Sequence, residues 1–275
     1  MKKNTPNFLV VGVMKGSTSA AAWNLNKHDD VFCLTPYWKE KVNTFYGYNT
    51  DDFAGGLAEE SSKETDFFCL QDNFNLGRDI YESYFPQSKV AIGEASPNYF
   101  HLEESLYPKT IQNIGLTLGA PKIIILLRDP ISRSFSHWNH IQRPNANFGA
   151  RFKDKTFNEC TEQTSGVAAK NSILNRSKYV DNIVKFRQAF GVENVYVGIQ
   201  EEIKANPAVE YNKIFNFLGV NDLPLDTTYN AIHEASYDTT IDESTKTWLK
   251  SYFKSDVDAV KSLYPDLDYS KWNTY

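Results

Sequence analysis

The sequence predicts an α/β fold, a single domain over residues 1–275 with a central, mainly parallel sheet flanked by helices. Three observations lead there. The apolar, β-branched runs are short and do not alternate with polar residues, as in strands buried on both faces. Stretches with helical spacing separate these runs, so the connections are the long crossovers that parallel pairing requires. The length, 275 residues, is ample for one large core.

In chain order, NFLVVGV (7–13) is the first strand, and Ser17 to Lys27 has a helical pattern. VFCL (31–34) is a weaker strand. Residues 35–75 read as mostly irregular and rich in aromatics; loops of that length in a compact domain are usually functional or mobile. KVAIG (89–93) and KIIILL (122–127) are further strands. A helix follows from Pro130 to Gln142, with Asp129 as a good N-cap and Pro130 as a good first helical residue. Residues 143–170 show no clear period and are expected to form an irregular insertion or lid. Helix Tyr179 to Phe190, strand NVYVGI (194–199) and helices Pro207 to Leu218 and Asp242 to Leu263 complete the pattern.

Composition narrows the partners. With 34 acidic and 29 basic residues the net charge is −5, which argues against a general nucleic-acid binder. Any anionic ligand must then be held by a local cluster of cations and backbone amides. The 16 tyrosines and 18 phenylalanines suit an aromatic-lined pocket. The three cysteines show no C-x-x-C spacing and read as buried free thiols. The first apolar run is too short for a signal peptide or a membrane span, so a soluble, cytoplasmic protein is expected. His137 and His140 form an H-x-x-H pair without a third ligand in view, and no metal is expected.

Two stretches carry chemistry. GVMKGSTS follows the first strand and opens a helix. Lys15, the hydroxyls of Ser17, Thr18 and Ser19, and the free amides of a helix start would cradle a phosphate. Gly12 and Gly16 are three residues apart and Lys15 precedes the second glycine, so this is not a Walker A loop. An ordinary tight turn with a solvated lysine is the plain alternative. In KIIILLRDPISRSFSHW (122–138) an apolar strand ends in Arg128, at the edge where α/β sheets bind ligands. Arg133, Ser136, His137 and His140 share one face of the following helix. Arg128 and Ser136 suit a second phosphate; an ion pair to a nearby carboxylate is the alternative for Arg128.

Together these stretches resemble the sulfotransferases that use 3′-phosphoadenosine 5′-phosphosulfate (PAPS). In that family a K-G-[GS]-T-[ST] loop binds the 5′-phosphosulfate, and an L-R-D-P-x-x-R-x-x-S stretch binds the 3′-phosphate. TPYWKEKVNTF (35–45) is similar to the family's P-x-x-K-E-x-x-x-F segment, and GEASPNYF (93–100) to its G-E-x-[ST]-P-x-Y segment. RSKYVDNIVKFRQAFGVENVYVGIQEEIKANP (176–207) and FNFLGV (215–220) resemble its late strand–helix region. Ser17 stands where glycine is commoner, and Ala95 where heparan-type enzymes carry lysine. The resemblance implies a P-loop-like sulfotransferase fold, PAPS as co-substrate and PAP (3′-phosphoadenosine 5′-phosphate) as product. It implies donor contacts at Lys15, Gly16, Ser17, Thr18, Ser19, Arg128, Ser136 and Tyr179, with Ser177 beside Tyr179. Lys15 would also stabilise the leaving group, and Glu40 would be the general base, where a solvated loop carboxylate is the alternative. Lys39 would assist with charge; His28 matches a histidine that is more often structural. Tyr37, Trp38, Phe45, Tyr46, Tyr99 and His101 are candidates around the acceptor, with His101 a backup base. The acceptor would be a small molecule, a sugar or a secondary metabolite such as an alkaloid toxin, sulfated on a hydroxyl or an amine-type nitrogen. A P-loop-like nucleotide kinase or NTPase and an inactive nucleotide-binding protein are the competing classes.

Overall fold

A computed structural model describes residues 5–35, 64–85, 89–101, 109–143, 152–161, 173–230 and 240–272. Five strands are described: β1 (Phe8–Gly12), β2 (Val31–Cys33), β3 (Ala91–Ala95), β4 (Lys122–Leu127) and β5 (Val195–Ile199). The helices are α1 (Thr18–Leu25), α2 (Gln71–Asn75), α3 (Arg78–Ser83), α4 (Thr110–Leu118), α5 (Pro130–Ile141), α6 (Phe157–Thr161), α7 (Val180–Phe190), α8 (Gln200–Ala205), α9 (Pro207–Leu218) and α10 (Glu243–Leu263). The strands form one sheet in the order β2-β3-β1-β4-β5, and every pairing is parallel.

Both faces of this sheet are buried, and side-chain alternation along each strand divides the core in two. Leu9, Val11, Ile123, Ile125 and Leu127 join one cluster with residues of α5, α7 and α10. Phe8, Val10, Ile124 and Leu126 join the other, with α1 and α9. The continuous apolar runs in β1 and β4 are thus a consequence of a helix layer on each side.

The strand order places the site. The chain leaves β1 toward β2 and leaves β4 toward β5, so the connections diverge between β1 and β4. Such a switch point opens a crevice at the carboxyl ends of the strands. The register between β1 and β4 shifts between Val10 and Gly12, and the turn begins directly beyond.

Several elements differ from the sequence expectation. The loop reading of 35–75 is corrected at its end, where Gln71–Asn75 is helical. α4 was not anticipated. Its sequence TIQNIGLTL contains Gly115 and β-branched residues of modest helix propensity. Its buried stripe, Thr110, Asn113, Ile114 and Thr117, has helical spacing but is mostly polar, which hides it from a hydrophobicity pattern. Asn113 Nδ2 donates to the Phe68 carbonyl at 3.0 Å. Within the expected insertion 143–170, residues 152–161 dock on α5. Phe157 meets Phe135 edge-on at 5.2 Å, and Trp138 Nε1 donates to the Lys155 carbonyl at 2.9 Å.

The described aromatics are mostly structural. Phe67 stacks on Tyr81 at 4.4 Å, and Phe68 packs on Tyr81 and Tyr99 at 5.0 and 5.4 Å. These rings fill the core near β3. All three cysteines are buried thiols outside any disulfide. No helix among the described residues is long and apolar enough to cross a membrane.

Candidate active site

The turn after β1 is built by close approach of backbone. A Cβ on Gly16 would lie 2.4 Å from the Leu126 carbonyl oxygen of β4 and 2.9 Å from that of Val13. Only glycine lets the turn lie this close to the sheet edge. Lys15 and Ser17, on either side, take φ values of 69° and 68°. That region favours glycine, which accounts for the commoner glycine at the position of Ser17. Ser17 Oγ accepts from Gln200 Nε2 of α8 at 2.5 Å, so a side chain at the end of β5 steadies the turn. Thr18 begins α1, whose first amides lack intrahelical acceptors.

Two arginines hold the outer side of this turn. Arg128 Nη1 donates to the Lys15 carbonyl at 3.2 Å, and Arg133 Nη1 to the Met14 carbonyl at 3.4 Å. In a trans peptide the N–H points opposite the C=O, so drawing the Met14 carbonyl toward Arg133 turns the Lys15 amide away from it. Tyr179, fully buried, donates its hydroxyl to the Arg128 carbonyl at 2.8 Å. Asp129 caps α5 by accepting from the Ser132 amide at 2.8 Å, and its own amide donates to Glu201 Oε1 at 3.1 Å.

Arg133 is fully buried and its donors are engaged. It bonds Ser177 Oγ at 2.5 Å, the Ile173 carbonyl at 2.5 Å and His137 Nδ1 at 3.2 Å. This residue of the R-D-P-x-x-R-x-x-S stretch is a clamp between α5, segment 173–177 and the turn, with no surface for a ligand. Ser177, expected near the donor, is buried in that clamp and also meets Ser134 Oγ at 2.7 Å. Ser136 is buried on the same helix.

The electrostatics are one-sided. Lys15, Arg128, Arg133, Arg143 and Arg176 gather here, and none of the ion pairs found among the described residues involves them, although the Glu64 carboxylate acts on Lys15. Burial, then Arg143, Arg128 and Arg133, brings the Lys15 ammonium down to about 8, with Glu64 pulling the other way. Burial, with Arg176 and Arg128, brings Arg133 down to about 9. His137 is held well below the usual imidazole range by burial and by Arg133 and Arg176, and stays neutral. Sequence reasoning gave Arg143 and Arg176 no role. Arg176 opens the 176–207 stretch that resembles the family and Arg143 lies outside the motifs; only the fold brings either of them to the turn.

The β3 side is different. Glu94 is fully buried and accepts from Thr65, Ser96, Tyr81 and Tyr99 hydroxyls at 2.7–2.9 Å. Burial raises its carboxyl above the usual range. Tyr99 is therefore corrected from an acceptor-lining residue to a core residue, its hydroxyl spent on Glu94 and Thr65. His101 is buried just after that segment. His28 bonds the Asn221 carbonyl and the Asp30 amide, which fits a structural histidine. Glu40, Lys39, Tyr37, Trp38, Phe45 and Tyr46 lie outside the described residues. No group of three or more metal-ligating side chains occurs among the described residues.

A parallel sheet with a cationic turn at its switch point is the arrangement in which α/β proteins commonly bind phosphate-type anions. The profile of the sulfotransferase domain family matches residues 98–259, which include the Arg128 to Ser136 stretch and follow the Lys15 turn. The chain belongs to the sulfotransferase family. It is 23% identical over 226 residues to a bifunctional heparan sulfate N-deacetylase/N-sulfotransferase 1 of Caenorhabditis elegans, covering 82% of this chain and 23% of that protein. It is 24% identical over 244 residues to the human heparan sulfate glucosamine 3-O-sulfotransferase 5, covering 84% of this chain and 58% of that one. The chain thus spans between about a quarter and three fifths of these curated relatives. A sulfotransferase structure from Alicyclobacillus acidocaldarius has the same fold, with a TM-score of 0.68 at 22% identity over 98% of this chain and 99% of that one.

Proposed function

We propose that this protein, acting as one sulfotransferase domain, moves a sulfuryl group from PAPS to a small-molecule acceptor and releases PAP. The observation that carries this is the gathering of five cations around the turn after β1, with Glu64 as the one described carboxylate that offsets the Lys15 charge. An electrically unbalanced, half-buried cluster calls for a ligand with several negative charges at separate points, and PAPS has that character. When bound, PAPS supplies the sulfuryl group: an acceptor oxygen or nitrogen lone pair bonds sulfur, and the bond to the 5′-phosphate oxygen breaks with its electron pair left on PAP. Lys15, the amides of residues 17–19 and the hydroxyls of Ser17, Thr18 and Ser19 hold the 5′ end, with Gly16 letting the turn approach through its own bond to the Val13 carbonyl at 2.7 Å, and Lys15 offsets the charge that grows on the departing oxygen. Arg128 and Ser136 hold the 3′-phosphate, and Tyr179 keeps the Arg128 backbone in place. Glu40 takes the acceptor proton, within a segment whose Tyr37, Trp38, Phe45 and Tyr46 surround the acceptor. A hydroxyl or an amine-type nitrogen of a sugar or secondary metabolite is the expected acceptor.

The test compares two ligands by calorimetry. Adenosine 5′-phosphosulfate lacks the 3′-phosphate, so Arg128→Ala should weaken PAP far more than it weakens this shorter ligand. A charge-assisted phosphate contact contributes roughly 1.5–3 kcal/mol, about ten- to a hundredfold in affinity. Equal losses for the two ligands would remove Arg128 from the 3′-phosphate.

A further inference from the structure

Arg176 is a cation for which the proposed donor contacts leave no task. It lies in the short 3-10 turn Asn175–Ser177, which is anchored at both ends. Ser177 is clamped by Arg133, and Asn175 Oδ1 accepts from Tyr252 of α10 at 2.8 Å. The turn therefore presents Arg176 from a fixed base. Its Nη1 lies 3.6 Å from Met14 Sδ, one residue before Lys15, and donates to Asn98 Oδ1 at 3.3 Å. Asn98 follows β3, the neighbour of β1 opposite to β4. The guanidinium thus sits at the carboxyl edge of the sheet, between the turn and β3, across the turn from Arg128.

Its orientation is set. Asn98 Nδ2 donates to Asp66 Oδ2 at 3.1 Å, which leaves the amide oxygen for Arg176. The carboxylate is held one side chain away, and no carboxylate among the described residues pairs with Arg176 directly. Arg176 is only half-buried, and among the described residues only Nη1 has a hydrogen-bond partner. The rest of a planar fork of N–H donors stays available beside Lys15.

We propose that Arg176 is a further catalytic residue, whose guanidinium donates to the non-bridging oxygens of the transferred sulfuryl group. This rests on the PAPS reading above. During transfer, charge is spread over those oxygens while sulfur exchanges one oxygen partner for the acceptor atom, much as in phosphoryl transfer. A preorganised donor held there stabilises the passing group without touching either phosphate of PAP. Removing a donor of this kind slows turnover by roughly a hundred- to a thousandfold.

PAPS and PAP differ only in the sulfuryl group, so their binding isolates the contact without any turnover. Calorimetry on the wild-type chain, Arg176→Gln and Arg176→Lys gives the ratio of PAPS to PAP affinity. In Arg176→Gln the ratio should shift against PAPS by about tenfold, the lower end for a charge-assisted hydrogen bond, while PAP affinity stays within about twofold. Arg176→Lys keeps the charge but not the fork and should recover part of the ratio; it also serves if the glutamine variant does not fold, and should then show a several-fold shift. An unchanged ratio, or equal weakening of PAP and PAPS, overturns the assignment. A wild-type chain that binds neither nucleotide would instead overturn the PAPS reading.

Discussion

Lys15 is a charged side chain held where charge is costly. Its ammonium sits partly out of water among three arginines, which is why it titrates at about 8 instead of the usual 10.5. The sign follows directly. A lysine with a lowered pKa is charged below about 8 and neutral above, so kcat/KM should fall as pH rises through that value. Between about 8 and 10.5 the unfolded chain holds a proton that the folded one has released, so ligand-free stability at this residue rises with pH. Lys15→Ala should abolish the alkaline limb and lower kcat by roughly a hundred- to a thousandfold. A pH–rate profile of both proteins checks this, and a limb that persists in the variant would assign it to another group. At this scale a motif that gathers its residues locally, as at Lys15 or in the stretch from Arg128, is visible in the sequence, and the fold brings these two stretches together. The sequence misled at Tyr99, because spacing cannot reveal that a buried glutamate has claimed the hydroxyl. It was silent on Arg176, whose partners Met14 and Asn98 lie 162 and 78 residues away.

At the level of elements, the turn depends on how closely two strands and a helix end approach. Gly16→Ala would press a methyl group into two carbonyl oxygens, which are backbone and cannot swing aside. Overpacking of this kind costs about 1–3 kcal/mol. The turn, rather than the central sheet, should yield, so PAP affinity should fall at least tenfold while the far-UV spectrum is unchanged. Native PAP binding in this variant would argue against so tight a turn. The start of α7 gives a second case. Asp256 of α10 accepts from the Tyr179 and Val180 amides at 2.8 and 3.1 Å, so a distant carboxylate caps this helix in place of a local side chain. Burial raises its carboxyl despite both bonds. Asp256→Ala should destabilise the protein by about 1–3 kcal/mol in urea titration, since one buried and one part-buried donor lose their acceptor. It should also loosen Tyr179 and so weaken PAP; a change in stability with PAP affinity intact would separate the cap from the site. The strands and the long helices were legible because burial on both faces leaves an unmistakable apolar run. α4 was not, because its inward stripe is mostly threonine and asparagine, with Ile114 as its apolar member.

On the scale of the whole molecule, the site is assembled from distant parts of one chain. The β1 turn, the end of β4, the start of α5, segment 173–177 and α8 all meet at one edge of the sheet. Strand order is the feature with the widest reach. β1 is written first but lies in the middle, between β3 and β4, whose residues appear roughly 80 to 120 positions later. A growing chain therefore carries FLVVG for a long interval without either neighbour, and parallel pairing over such separations is slow to form. During that interval the run is an unpaired, uncharged, strongly β-forming segment of the kind that associates with copies of itself. A fragment ending at residue 120 has β3 but lacks β4, so one edge of β1 stays open. It should scatter light and sediment as aggregate at concentrations where the full chain refolds cleanly from urea. The same central position that fixes the turn after β1 most firmly in the finished protein leaves the unfinished one exposed during synthesis.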